Sequence, residues 1–263
     1  MSSLPESAVI TRLRAAGCVF AEDEARLLIS TARTTDDLAA MVERRAAGLP
    51  LEHVLGWAEF CGLRVAVDPG VFVPRRRTEF LVHEAVALAG AAQKTTVVDL
   101  CCGSGAVGVA LAAALGPVEL HAADVDPAAV RCARRNVSAA GGQVYEGDLY
   151  EPLPAALRGR VDVLAANVPY VPSEEVGLLP AEARVHEARV ALDGGADGLD
   201  VLRRVAAEAS RWLAPGGHLL VETSERQAPH AVRAFTDGGL TARLATSEEL
   251  YATVVVGTRP PGE

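Results

Sequence analysis

An apolar run, Val161-Asp-Val-Leu-Ala-Ala166, reads as a buried strand and is followed at once by Asn167-Val168-Pro169-Tyr170. These residue types suit one chemistry. A planar amide nitrogen is a poor nucleophile because its lone pair is delocalised. The Asn167 side-chain oxygen and the Val168 carbonyl can accept its two N–H groups. That aims the nitrogen at an electrophilic carbon and stabilises the positive charge that appears as the bond forms. Pro169 stiffens the loop, and Tyr170 offers a flat face to a planar group. No general base is required if the proton leaves after transfer. Asn167, Pro169 and Tyr170 are therefore the candidate catalytic residues, and Asn167 to Tyr170 the candidate acceptor-binding residues. The plain alternative is a polar turn that ends a strand.

A second constellation lies upstream. Thr96-Thr-Val-Val-Asp-Leu-Cys-Cys-Gly-Ser-Gly-Ala-Val-Gly108 is a strand, a glycine-rich turn and the start of a helix. Gly103 and Gly105 let backbone approach a ligand where a Cβ would collide. Gly103, Gly105 and Gly108 satisfy the GxGxxG spacing of nucleotide-binding folds, a pattern that a purely structural turn can also meet. Asp99 ends the strand and can accept from an ammonium, and Asp124 ends the next strand, where a carboxylate binds two ribose hydroxyls. Asp99 would repel a pyrophosphate and attract the cationic methionine part of S-adenosylmethionine. That favours S-adenosylmethionine over NAD as the cofactor. Asp148, after a third strand, either accepts from an adenine amino group or caps a helix. Cys101 stands where many such loops carry their first glycine, so its backbone is what matters.

These loops need a scaffold. From residue 95 onward, strands at 96–100, 118–123, 143–146, 161–166 and 218–222 alternate with helices at 106–115, 127–139, 199–213 and 227–235. Such alternation builds a parallel sheet covered on both faces. Runs at 240–245 and 251–257 are too close for a crossover helix and are predicted to pair as an antiparallel hairpin. Residues 1–57 read as a small bundle of short helices, with Thr34 or Thr35 capping the third. Leu63, Val65 and Val67 alternate with polar or small residues, and Asp68-Pro69-Gly70 then predicts a hairpin turn before Val71-Phe72-Val73. The reading divides the chain into a helical domain (1–57), a β-hairpin linker (58–78) and a cofactor-binding domain (79–263). The segment between Tyr170 and Gly198 is long enough to serve as an active-site cover.

Composition narrows the classes. Half of the 263 residues are hydrophobic and 22% are charged, enough apolar material for one core and a small module. No apolar run reaches the ~18 residues of a membrane span, and the first thirty residues lack a signal-peptide pattern. A cytoplasmic protein is expected. The net charge of −9 argues against stable nucleic-acid binding, which usually needs a basic excess. Five scattered Cys without CxxC and six His without HxxxH spacing suggest buried free thiols and no metal. Arg75-Arg76-Arg77 reads as a solvated or interdomain face.

Across nearly its whole length the chain resembles the HemK/PrmC family of protein-(glutamine-N5) methyltransferases. The family's linker signature is similar to Pro74-Arg75-Arg76-Arg77-Thr78-Glu79. Its preceding motif matches Gly56-Trp-Ala-Glu59-Phe60-Cys-Gly62, and its cofactor loop matches Asp99 to Gly105. Glu187-Ala-Arg-Val-Ala191-Leu192 echoes a further signature. The resemblance implies an α/β fold, a seven-stranded Rossmann-like class I methyltransferase sheet with a small N-terminal helical domain and a β-hairpin linker. It implies S-adenosyl-L-methionine as cofactor, with contacts from Cys101, Cys102, Gly103, Ser104, Gly105, Asp124, Leu149 and Asn167. It implies as partner a protein substrate, the Gly-Gly-Gln loop of a peptide-chain release factor, docked in part by the helical domain. The chain departs from the pattern at Val168, where the family has Pro, and at Arg76 and Arg77, which replace Pro and an acid. Position 149 is Leu where an aromatic is common, Ala188 follows Glu187, and the family's Arg near the final strand has no match.

Three functions fit these residues. The first is methylation of a glutamine amide in a protein. The second is methylation of an exocyclic amine of a nucleobase in DNA or RNA, for which similar loops serve the same physical end. That one needs a basic or target-recognition surface to extract the base, and neither is evident. The third is a non-catalytic cofactor-binding paralogue, suggested by Val168 and the altered linker.

Overall fold

The computed structural model describes residues 4–89 and 95–261. Four helices open the chain: α1 (Glu6–Ala15), α2 (Ala21–Thr31), α3 (Thr35–Ala46) and α4 (Leu51–Leu55). Apolar residues recur at helical spacing, with Val9 and Leu13 on α1, Ala21, Ala25 and Leu28 on α2, and Leu38, Met41 and Val42 on α3. They bury one another in a single cluster. Thr34 caps α3, its hydroxyl accepting the Asp37 N–H at 3.1 Å. Glu24 lies in the buried stripe of α2 because Arg45 of α3 donates to both of its oxygens, at 2.6 and 3.0 Å.

A two-stranded hairpin follows, β1 (Trp57–Phe60) with β2 (Leu63–Ala66). The turn expected at Asp68-Pro69-Gly70 is therefore not the one that joins the strands. Cys61 and Gly62 take φ of 49° and 71° and form a two-residue turn of the left-handed kind, which matches strand twist. Val71 and Val73 add no strand; they pack with Val67 against Ala129 and Cys132.

The sheet has seven strands: β3 (Thr95–Leu100), β4 (Val118–Asp124), β5 (Gln143–Glu146), β6 (Val161–Ala166), β7 (Leu213–Thr223), β8 (Thr241–Ser247) and β9 (Ala252–Thr258). Their order is β5-β4-β3-β6-β7-β9-β8. The first five are parallel, and β9 runs antiparallel between β7 and β8. Alternate residues of β3 show how both faces are covered. Val97 joins a cluster with α5 (Glu79–Leu88), α6 (Ala106–Leu115) and α7 (Pro127–Ala139). Val98 and Leu100 join the other, with α9 (Asp200–Trp212) and α10 (Ala228–Asp237). Helix α5 has no counterpart in the sequence reading: Glu79 to Leu88 is mostly apolar, and such a run does not distinguish helix from strand by period. No helix among the described residues is long and apolar enough to cross a membrane.

Side-chain hydrogen bonds tie the helical bundle and the hairpin to the rest, among them one between His53 of α4 and the Val71 carbonyl at 2.8 Å. Arg45 also donates to Glu182 of α8 (Ala181–His186) at 2.6 Å. Asn136 of α7 holds the Ala66 backbone through both its amide atoms, and its Nδ2 donates also to the Ser104 carbonyl at 2.8 Å. Arg45 and Glu24 side chains are each only 10% exposed, so Arg45→Ala leaves a buried carboxylate unpaired. Urea denaturation should show a loss on the order of 3 kcal/mol. Glu182→Ala, which removes a half-exposed partner, should cost less than about 1 kcal/mol.

Candidate functional site

Parallel register brings the carboxyl ends of four strands level. Leu100 pairs with Ala123 on β4 and Ala166 on β6, and Ala166 pairs with Val221 on β7. The next residues, Cys101, Asp124, Asn167 and Glu222, therefore emerge along one edge. The chain winds outward from β3 in one direction and resumes at β6 in the other, so this edge includes the switch point where open α/β sheets bind ligands. A cavity of about 1440 Å³ opens there. That exceeds the ~300–1,000 Å³ of an ordinary small-molecule site and leaves room for two ligands.

Every candidate residue from the sequence lines this cavity except Gly105, which works beneath it. Gly105 has φ 78°, and an added Cβ would lie 2.7 Å from Val137 Cγ2, so it permits close packing of the loop on α7. Gly103, at φ 54°, would send a Cβ into space free of protein atoms. Cys101 adopts φ 53° without being glycine, a left-handed backbone that costs about 1 kcal/mol. Burial, reinforced by nearby acids, pushes the Cys101 and Cys102 thiols up, so both remain protonated. Asp99 is buried, and its Oδ2 accepts the Gly108 N–H at 2.8 Å. Asp124 braces the loop: Oδ2 accepts from Gly103 N–H at 2.8 Å and Oδ1 from Asp126 N–H at 2.9 Å. Each carboxylate oxygen has two acceptor positions, so Asp124 keeps capacity for hydroxyls. Asp148 faces the cavity, but its Oδ2 is engaged by Arg204 at 2.5 Å. Oδ1 keeps its acceptor capacity toward the cavity. Leu149 adds apolar wall beside Val201.

S-adenosylmethionine fits these residues. The open cradle over Gly103, the buried acid at Asp99, the remaining lone pairs of Asp124 and the apolar wall at Leu149 match a small backbone-hugging ligand with an ammonium, a ribose and a flat ring.

On the β6 side, Asn167 Oδ1 is buried without a hydrogen-bond partner. The following backbone is clamped from behind. Gln227 Nε2 donates to the carbonyls of Tyr170 and Asp197, both at 2.9 Å. A Cβ at Gly194 would stand 2.6 Å from the Pro169 carbonyl, and one at Gly198 would stand 2.2 Å from that of Tyr170. The Val168 side chain is buried in the core beside Leu199.

The linker arginines face inward. Arg75 donates to both oxygens of buried Glu187, at 2.7 and 2.6 Å, and Glu187 Oε1 also accepts the Val73 N–H. Arg77 Nε donates to Glu222 Oε1 at 2.9 Å, and its Nη2 donates to the Tyr170 hydroxyl. That hydroxyl donates in turn to Glu222 Oε1 at 3.1 Å. Burial, with Glu222 adding to it, raises Tyr170 to about 12, so it stays a neutral phenol. Arg76, between Arg75 and Arg77, is exposed. The sequence reading missed Glu222, Gln227 and Asn136. Glu222 carried a usable signal, since it ends the apolar run 219–221 as Asp99 and Asp124 end theirs. Gln227 and Asn136 carried none.

Residues 62–197 match the family model "Methyltransferase small domain". A release factor glutamine methyltransferase of Geobacter sulfurreducens is 38% identical, covering 85% of this chain and 79% of its own. A 4-amino-L-phenylalanine/4-methylamino-L-phenylalanine methyltransferase of Streptomyces pristinaespiralis is also 38% identical, over 71% of this chain and 65% of its own. In fold, a methyltransferase from Pyrococcus furiosus superposes with TM-score 0.56 at 14% identity, over 76% of this chain and 90% of that one.

Asp99 gives a pH signature. Burial raises its pKa from 3.8 to about 7, with the Gly108 N–H opposing and Asp124 adding to the rise. Between these values the folded chain holds a proton that the unfolded chain has shed. Its contribution is complete below pH 3.8 and is lost as pH rises through about 7. Urea denaturation of the ligand-free protein should show wild type losing stability relative to Asp99→Asn across pH 4–7. Parallel curves would contradict the assignment.

Proposed function

The chain belongs to the HemK/PrmC-like release factor glutamine methyltransferase family, and from that membership we propose that it methylates the side-chain amide nitrogen of a glutamine in a protein. The substrate we propose is the Gly-Gly-Gln loop of a peptide-chain release factor, and the compartment is the cytoplasm. One observation carries the reading: Asn167 Oδ1 is buried, unpartnered and beside the glycine loop. A buried acceptor without a donor costs ~1–3 kcal/mol, and a carboxamide N–H is a donor of the right kind.

S-adenosylmethionine, when bound, supplies a methyl carbon as electrophile. The protein does the rest by holding and orienting. Asn167 Oδ1 accepts one N–H of the glutamine amide and the Val168 carbonyl the other, which turns the nitrogen toward the methyl and stabilises its developing charge. Val168 keeps the carbonyl that a proline would offer, and the Gln227 and Gly194–Gly198 clamp behind the loop supplies rigidity. The Tyr170 ring, pinned at its hydroxyl by Arg77 and Glu222, borders the acceptor side. Asp99 and Asp124 serve the ammonium and ribose of the cofactor.

A second reading has the same acceptors hold an aromatic amine, and the Streptomyces pristinaespiralis relative favours it. Incubation with methyl-labelled cofactor and either a release factor or 4-amino-L-phenylalanine separates the two. We expect label on the glutamine side chain; label confined to the amino acid would reverse the order, and label on neither would leave a non-catalytic paralogue. Asn167→Ala should lower kcat by about 100- to 1000-fold. Cofactor affinity, read by calorimetry, should change less than about threefold. Equal losses in both would assign Asn167 to the cofactor alone.

A further inference from the structure

Among the described residues, four buried side-chain atoms lack a hydrogen-bond partner: Thr78 Oγ1, Asn167 Oδ1, Glu222 Oε2 and Thr223 Oγ1. All four residues line the one cavity. Three are neutral oxygens. The fourth belongs to a carboxylate, and burying a carboxylate oxygen without a donor costs more than burying an amide or hydroxyl oxygen.

The rest of the Glu222 carboxylate is fully engaged. Oε1 accepts from Arg77 Nε at 2.9 Å and from the Tyr170 hydroxyl at 3.1 Å. The side chain is 3% exposed. These two donors hold the carboxylate plane while leaving Oε2 bare. Ala166 and Val221 are register partners on β6 and β7, so Asn167 and Glu222 follow them on adjacent strands, whose spacing is about 4.8 Å. The two unpartnered oxygens thus belong to neighbouring residues at the edge of one cavity.

The reaction proposed above leaves one atom without a destination. As the amide nitrogen's lone pair forms the N–CH₃ bond, the sulfur–methyl bond breaks toward sulfur, and positive charge builds on a nitrogen that carries two hydrogens. One must leave. Amide oxygens such as Asn167 Oδ1 and the Val168 carbonyl are far weaker bases than a carboxylate and cannot keep it. We propose that Glu222 is a catalytic residue whose Oε2, on the strand next to Asn167, takes the proton of the N–H that Asn167 Oδ1 orients, as the N–CH₃ bond forms. The N–H electron pair returns to nitrogen, the product amide is neutral, and Glu222 is left protonated until it exchanges with solvent. Arg77 is a positioning residue in this scheme. It stands where the family pattern has an acid and orients the carboxylate through Oε1.

The inference rests on the glutamine reading, and the test keeps the two apart. The conservative variant is Glu222→Gln, which retains an oxygen for Arg77 but cannot take a proton. With wild type methylating a Gly-Gly-Gln peptide, the variant should lose about 100-fold in kcat. Its affinity for S-adenosylhomocysteine, by calorimetry, should stay within about threefold and so report an intact fold. A second readout needs no turnover. Wild type should bind the Gly-Gly-Gln peptide at least about tenfold tighter than a Gly-Gly-Glu peptide, whose carboxylate Oε2 repels, and Glu222→Gln should narrow that ratio severalfold. If wild type methylates the glutamine while the variant keeps both kcat and the binding ratio, Glu222 has no such role and the functional reading stands. If wild type neither binds nor methylates the glutamine peptide, the functional reading fails and this inference falls with it.

Discussion

A folded chain rarely leaves a buried polar atom without a partner, because desolvation is then uncompensated. Here such atoms gather at one cavity, and the sheet is what gathers them. Equal register along β4, β3, β6 and β7 makes Cys101, Asp124, Asn167 and Glu222 surface at one level, each carried there by an apolar strand with no freedom to retreat. The unfilled acceptors of Asn167 and Glu222 are a property of the whole sheet. Moving any one strand by a residue would turn its terminal side chain to the opposite face and break the row.

Much of this was legible before any coordinates. The strand–helix alternation from residue 95 and the closing antiparallel pair follow from apolar runs whose lengths exclude other solutions. Asp99, Asp124 and Asn167 stood out because each is polar at the end of such a run. Glu222 obeyed the same rule but escaped, since no glycine turn or proline follows it to mark a site. Helix α5 escaped because an almost uniformly apolar segment has no readable period. The hairpin turn was placed at Asp68-Pro69-Gly70 because those types favour turns, yet the chain turns at Cys61-Gly62, where the twist of the strands decides.

Two charge assignments depended on partners that sequence does not display. The arginines at 75 and 77 read as a solvated or interdomain face, and sequence does not say which; they reach from the linker to Glu187 and Glu222, which lie more than a hundred residues away. Asp148, an adenine-acceptor candidate, also meets Arg204 of α9 through Oδ2. In each case the preference of a buried or half-buried carboxylate for a guanidinium outweighs what its neighbours in sequence suggest.

Asn136 touches neither cavity nor solvent-facing docking surface, yet one carboxamide joins the end of the hairpin to the carbonyl of Ser104. The hairpin follows the helical bundle in the chain, and Ser104 lies between Gly103, which is open to the cavity, and Gly105, which packs on α7. A single planar group therefore fixes how far the hairpin can shift relative to that loop.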